Sequence, residues 1–190
     1  MREAIVEHFQ ESIRVKQGFL RDNLDTLTLA IDALVGAFRR GNKLLLFGNG
    51  GSAADAQHIA AEFVNRFLIE RTPLPAIAFT TDTSVLTSIA NDYSYNEVFA
   101  KQVKALGKEG DVALAISTSG NSPNVLAAID ACKQLNITTI GMTGGKGGQM
   151  VGKVDFLLNV SEGQSSPRIQ ETHILVGHVI CDIVDQKLFS

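Results

Sequence analysis

Apolar residues recur in the first forty positions at Ile5, Phe9 and Ile13, less regularly at Phe19 and Leu20, and then at Leu27, Ile31, Leu34, Val35 and Phe38. Steps of three and four residues put each set on one helix face. The spacing predicts two amphipathic helices before any strand, the second ending at Gly41, a residue suited to a helix C-terminus. The pattern then changes to short unbroken apolar runs. Leu44 to Phe47, 76–80 (AIAFT), 111–117 (DVALAIS), 138–143 and 156–160 are each bounded by turn residues, as strands covered on both faces are. Between them lie helical patterns over about 52–68, 83–90, 97–106 and 123–135, with Asn91-Asp92 breaking one and Gly107 ending another. Pro167 opens a last apolar-periodic helix that runs to about Leu188.

Five strands alternating with helices predict an α/β fold, a doubly wound parallel sheet. Two leading helices with no strand between them cannot belong to that alternation, so they pack on its flank or on another subunit. The chain reads as a single domain, with 1–40 a helical flank for oligomerisation and 41–190 the sheet core and C-terminal helix. At 190 residues and 45% hydrophobic composition it can bury an ample core.

Net charge of −3 without a basic run argues against a nucleic-acid surface. No segment has the length needed to span a bilayer, and the N-terminus, with acids and a His in its first dozen residues, does not read as a signal peptide. Cys132 and Cys181 lie in apolar helical patterns and read as core packing in a reduced compartment. The expected location is cytoplasmic, with no nucleic-acid or membrane partner.

Two turns carry the candidate chemistry, both at strand carboxyl ends, where parallel sheets bind ligands. Gly48, Asn49, Gly50 and Gly51 let the backbone approach a ligand, and the helix that follows offers free N–H groups to an anion. The sequence there is neither a Walker loop nor GxGxxG. The second turn, Ser117 to Asn124, presents hydroxyls on Ser117, Thr118, Ser119 and Ser122 beside Gly120, with Pro123 at the helix start. A capped turn needs one such hydroxyl. Four within six residues suit a phosphate, and the pair of corners suits a phosphorylated small molecule.

His58 and Glu62, four apart on the helix launched by the first turn, project from one face and could ligate a metal or present a base beside its partner. Such a pair also occurs as a plain surface hydrogen bond. Glu62 is flanked by Ala60, Ala61, Phe63 and Val64, where an unpaired carboxylate is costly. Gln170 and His178 complete the candidate set, whereas His173 reads as a core histidine. Asn91-Asp92 could cap a helix or hold sugar hydroxyls.

The segments GNGGSAADAQH, IANDYSYNEVF, AISTSGNSPNV and RIQETHILVGH resemble, in order and over nearly the whole chain, the signatures of bacterial phosphoheptose isomerases, a branch of the sugar isomerase (SIS) domain family. The resemblance implies a flavodoxin-like five-stranded parallel sheet with extra N-terminal helices and a homotetramer with sites at subunit interfaces. It implies conversion of D-sedoheptulose 7-phosphate to D-glycero-D-manno-heptose 7-phosphate, the first step of ADP-heptose biosynthesis. Substrate contacts would come from Asn49, Gly50, Gly51, Glu62, Asn91, Asp92, Ser117, Thr118, Ser119, Ser122 and Gln170. One zinc per subunit would be held by His58, Glu62, Gln170 and His178, with Glu62 as base and His178 as acid/base through an enediolate.

NRF, ERTPLPAIA and FAKQVKALG also resemble a non-catalytic SIS-domain relative, a tetrameric scaffold that binds the replication initiator. That relative lacks a carboxylate and a histidine corresponding to Glu62 and His178, and both are present here. Gln170 and His178 are separated by about 12 Å of rise along one straight helix. Either that helix is irregular at its start near Pro167 or one ligand comes from a neighbouring subunit, and the unpaired N-terminal helices, an apolar surface for assembly, favour the second: an active site shared between chains.

Overall fold

The structure is a computed structural model that describes residues 1–189. Its elements in order are α1 (Arg2–Arg39), β1 (Leu44–Gly48), α2 (Gly51–Val64), β2 (Ala76–Ala78), α3 (Thr83–Asp92), α4 (Val98–Leu106), β3 (Val112–Ile116), α5 (Pro123–Gln134), β4 (Thr138–Gly144), β5 (Phe156–Val160) and α6 (Ser166–Phe189). The five strands form one all-parallel sheet in the order β2-β1-β3-β4-β5. The chain steps from β1 outward to β2, then returns to lay β3 on the other side of β1. The carboxyl ends of β1 and β3 therefore flank the point where strand order reverses, the position at which such sheets open a crevice.

Alternation along the strands divides the core. Leu44 and Leu46 of β1 join Leu114 and Ile116 of β3 in a cluster with α1, α2 and α6, while Leu45 and Phe47 face α4 and α5 with Ala113 and Ala115. The unbroken apolar runs read from the sequence are thus strands buried on both faces.

The two leading helical segments run together into one helix of 38 residues, because nothing between Leu20 and Leu27 breaks the backbone. Burial begins about a third of the way along it: Val15, Phe19, Leu27, Ile31, Leu34, Val35 and Phe38 are buried, whereas Ile5, Val6, Phe9 and Ile13 before them are exposed. Asn23 of α1 covers the sheet edge. Its Nδ2 donates to the Asn159 carbonyl (3.1 Å) and its Oδ1 accepts from the Asn159 N–H (3.0 Å), occupying the positions a sixth strand would use. Asn91 and Asp92 are the last residues of α3 rather than a break after it, and α2 stops four residues short of the predicted end, at Val64.

Both cysteines are free and buried, and burial pushes the Cys132 thiol up to about 12 and the Cys181 thiol higher still. They pack rather than react. His173 is a core residue, 1% exposed, with one ring nitrogen 3.1 Å from the Thr143 carbonyl oxygen. Burial lowers its imidazole to about 4, against a smaller opposing effect of that bond. At neutral pH it is uncharged folded or unfolded and the full stability is present. As pH falls from about 6.5 to about 4 the unfolded chain takes up a proton that the folded chain refuses, which removes about 3 kcal/mol. Urea unfolding midpoints of His173→Leu are accordingly expected to fall less than those of the parent between pH 7 and pH 4.

Candidate active site

Helices α2 and α6 lie side by side on one face of the sheet, and two glycines let them approach. A Cβ on Gly177 of α6 would sit 2.6 Å from Ile59 Cδ1 of α2. A Cβ on Gly51, at the start of α2, would sit 2.7 Å from Gln170 Nε2, near the start of α6. Both helices follow strands of one parallel sheet, so they run in the same direction and these two contacts are successive along one groove.

Three candidate residues meet further along it. His58 Nε2 is 3.2 Å from Glu62 Oε1 and 2.9 Å from His178 Nε2. One ligand atom from each of the three lies within 4.8 Å of the others. The His178 ring stacks on Phe67, with centroids 5.6 Å apart, which fixes its tilt toward α2. Glu62 is half-buried, its side chain 24% accessible. Two imidazole nitrogens and a carboxylate oxygen at these separations can hold a divalent metal or move protons between one another.

His58, Glu62 and His178 meet within one chain, with no residue of a neighbouring subunit needed to bring them together. One chain brings Glu62 and His178 together, because Gly177 lets α6 lie closely on α2. Gln170 is placed elsewhere, its carboxamide against Gly51 at the other end of the groove, two turns of α6 before His178. Gly177→Ala is therefore expected to press α6 off α2, costing roughly 1–3 kcal/mol of stability and reducing turnover, with Ile59→Val in the same chain restoring part of both by removing the Cδ1 that clashes. Thermal unfolding and activity of the two variants check it.

Asp55, which the sequence reading passed over, lies on the same face of α2, three residues before His58 and seven before Glu62. Burial raises its carboxyl above the ordinary carboxylate range, partly offset by the nearby His58 and His178. Its Oδ2 is buried without a hydrogen-bond partner among the described residues. The i, i+3, i+7 spacing was present in the sequence as a signal.

The two turns face each other across the switch point. Gly50, with φ of +56°, precedes α2, and the N–H groups of Ser52 and Ala53 are bonded back to Asn49 and Gly50. In the second turn the Ser117 and Ser122 hydroxyls are 3.0 Å apart, and Ser119 Oγ accepts from the Asn121 N–H. Gly120, at φ +65°, could carry no side chain, because a Cβ would lie 2.0 Å from the Gly147 carbonyl oxygen. The segment after β4 braces this turn through Met150 N–H to the Gly120 carbonyl (3.2 Å) and Gln149 N–H to Asn121 Oδ1 (3.0 Å).

A side-chain bridge that the sequence did not announce joins the turns. Asn49 and Asn124 exchange two amide hydrogen bonds, and the Tyr95 hydroxyl reaches Asn49 Oδ1 at 3.3 Å. Asn91 and Asp92, exposed, bond each other at 2.9 Å, and the short turn after them carries Tyr95 to the first corner.

The SIS domain family matches residues 7–144 of the chain. A phosphoheptose isomerase of Nitratidesulfovibrio vulgaris (Miyazaki F) is 50% identical over 189 residues, covering 100% of this chain and 90% of that protein. Phosphoheptose isomerase 2 of Campylobacter jejuni is 52% identical over 186 residues, covering 96% and 92%. Among solved structures, phosphoheptose isomerase from Neisseria gonorrhoeae aligns with a TM-score of 0.91 at 44% identity, over 97% of this chain and 98% of that one. The phosphoheptose isomerase from Francisella tularensis aligns at 0.92 with 39% identity, over 97% of each.

Proposed function

Because the chain belongs to the SIS domain family, among its phosphoheptose isomerases, we propose that it interconverts D-sedoheptulose 7-phosphate and D-glycero-D-manno-heptose 7-phosphate, with Glu62 and His178 moving the protons. The observation that carries the assignment of roles is the groove itself. Phosphate-suited corners stand at one end, and His58 lies about 10 Å along α2 from Gly51, seven residues at 1.5 Å each, with Glu62 one turn further on and His178 beside them. A seven-carbon sugar phosphate carries its phosphate and its reacting carbons at opposite ends in the same way.

Aldose–ketose isomerisation moves one proton between C1 and C2 and shifts oxygen protonation the opposite way. Glu62 takes the carbon proton, leaving a cis-enediolate, and returns it to the neighbouring carbon. His178 exchanges a proton with the two oxygens and helps open the ring. His58, in contact with both, holds their separation. The Ser117, Thr118, Ser119 and Ser122 hydroxyls take the phosphate, Asn49, Gly50 and Gly51 close the first corner, and Gln170, Asn91 and Asp92 serve the sugar hydroxyls.

The triad fits zinc by chemistry and spacing. Zinc–nitrogen bonds of about 2.0–2.1 Å at tetrahedral angles put ligand atoms about 3.3 Å apart, within a few tenths of the 2.9 and 3.2 Å found here. His58, Glu62 and His178 would hold the ion, with Gln170 as the fourth ligand only if its side chain leaves Gly51. Bound there, zinc supplies Lewis acidity toward the substrate's carbonyl oxygen. A carboxylate held tightly by a metal is a weaker base, so Glu62 serves both purposes only if its hold on the metal is loose.

Self-association, with the homotetramer as the proposed assembly, is supported by the exposed stripe Ile5, Phe9, Ile13, Leu20 and Leu24 on α1, continued by Leu175 and Val179 on α6, which marks an apolar surface without fixing the number of chains. No helix among the described residues is long and apolar enough to cross a membrane. A metabolic role in the cytoplasm, feeding ADP-heptose synthesis, goes with the substrate. A non-catalytic scaffold would not need the Glu62–His58–His178 contact. The test is a direct assay of sedoheptulose 7-phosphate conversion before and after chelation: turnover that falls on chelation and returns with zinc is expected. Absence of conversion by metal-replete protein would overturn the assignment, and chelator-insensitive turnover would remove the metal from it.

A further inference from the structure

Asn49 stands in the turn after β1, and Asn124, 2% exposed, is the second residue of α5. Their carboxamides form a closed ring: Asn49 Nδ2 donates to Asn124 Oδ1 at 2.9 Å and Asn124 Nδ2 donates to Asn49 Oδ1 at 2.8 Å. Turning both amides over together would leave such a ring intact, so the ring alone does not say which atom of Asn49 is oxygen. The backbone decides. The Val125 N–H lies 3.0 Å from Asn124 Oδ1, and a backbone N–H can only donate, so that atom is the oxygen. Asn124 Nδ2 is then the donor to Asn49, and the atom receiving it is Asn49 Oδ1. The Tyr95 hydroxyl, 3.3 Å from the same oxygen, donates to it as well.

Both acceptor sites of Asn49 Oδ1 are thereby used, and one of its two N–H groups is used on Asn124. What remains is a single N–H. We propose that Asn124 is a positioning residue that makes Asn49 an obligate hydrogen-bond donor at the first corner, directed at an acceptor oxygen of the phosphorylated sugar. A carboxamide without this partner would turn over to suit either a donor or an acceptor. Locked by the Val125 N–H, it favours an oxygen that accepts, on the phosphate or on the sugar chain. Tyr95 closes the same lock from the turn that follows Asn91 and Asp92. The inference rests on Asn49 contacting substrate, as proposed above.

Steady-state kinetics on Asn49→Ala, Asn124→Ala and the double variant test it, with Asn124→Ser, which keeps a small polar group at the helix start, covering the case in which the alanine variant does not fold. Asn124→Ala is expected to raise KM about tenfold with kcat within about twofold. In the Asn49→Ala background the same substitution is expected to change KM by less than about twofold, because the residue it positions is gone. A rise in the inhibition constant of inorganic phosphate parallel to KM places the acceptor on the phosphate, and an unchanged one places it on the sugar; either is consistent with the donor role. An Asn124 effect that persists undiminished in the Asn49→Ala chain, or falls on kcat alone, overturns the positioning role while leaving Asn49 in contact with substrate. An unchanged KM in Asn49→Ala overturns that contact and the inference with it.

Discussion

Glu62→Gln is expected to lower turnover of sedoheptulose 7-phosphate by at least about a hundredfold, and His178→Gln to do the same, with unfolding midpoints near the parent's. Glutamine keeps the size of the carboxylate and its contact with His58 (3.2 Å), so the packing of α2 against α6 is retained. What it removes is the ability to accept a proton from carbon. At position 178 glutamine keeps a polar group beside His58 and removes the ring that can both give and take a proton. Turnover close to the parent's in either variant would sink the assignment of roles. Mixing the two inactive variants under conditions of subunit exchange is expected to leave them inactive, because one chain supplies both groups through adjacent helices. Activity regained in mixed assemblies would mean that the productive pair forms across a subunit boundary.

The largest loss of stability is expected at a residue outside the reaction. Arg71, its side chain 1% exposed, pairs with the equally buried Asp185 of α6 through a 3.0 Å contact from Nε to Oδ1. Its guanidinium also donates to the carbonyls of Glu62, Phe63 and Asn65 at 2.9, 2.7 and 3.2 Å, satisfying oxygens that the end of α2 leaves without helical partners. One side chain thus ties the end of α2 that carries Glu62 to α6. Arg71→Met leaves the Asp185 carboxylate buried and unpaired, with an Oδ2 that already lacks a partner among the described residues, and is expected to cost about 3–5 kcal/mol in urea unfolding. Adding Asp185→Leu should recover most of that loss, since a buried pair replaced by apolar groups is often near neutral. Stability of Arg71→Met within about 1 kcal/mol of the parent would show that the pair contributes little.

The strands were legible because parallel strands buried on both faces leave unbroken apolar runs, and β5 coincides with its predicted range, 156–160. The two turns were legible as turns because glycine, hydroxyl and asparagine residues cluster where a strand gives way to a helix. Less was readable where the cause lies between distant segments. Nothing local distinguishes two helices with a linker from the continuous α1, since the residues between Leu20 and Leu27 are compatible with both. The Asn49–Asn124 ring joins residues 75 apart, and Tyr95 enters it from a third segment, so neither was visible as a pattern. The meeting of Glu62 and His178 within one chain depends on Gly177 facing Ile59, a matter of packing rather than of spacing. Helix arithmetic correctly separated Gln170 from His178, but it could not show that Gln170 faces Gly51, a contact between segments far apart in the chain.

The most direct test of proton transfer by Glu62 is to follow the reaction in D2O by NMR over many turnovers. A base that lifts the proton from carbon and forms an enediolate exchanges that proton with solvent at some turnovers. Deuterium is expected to accumulate at the reacting carbon in the parent protein and to be lost with Glu62→Gln. Conversion that proceeds through many turnovers with no deuterium on carbon, or incorporation undiminished in Glu62→Gln, would contradict the account.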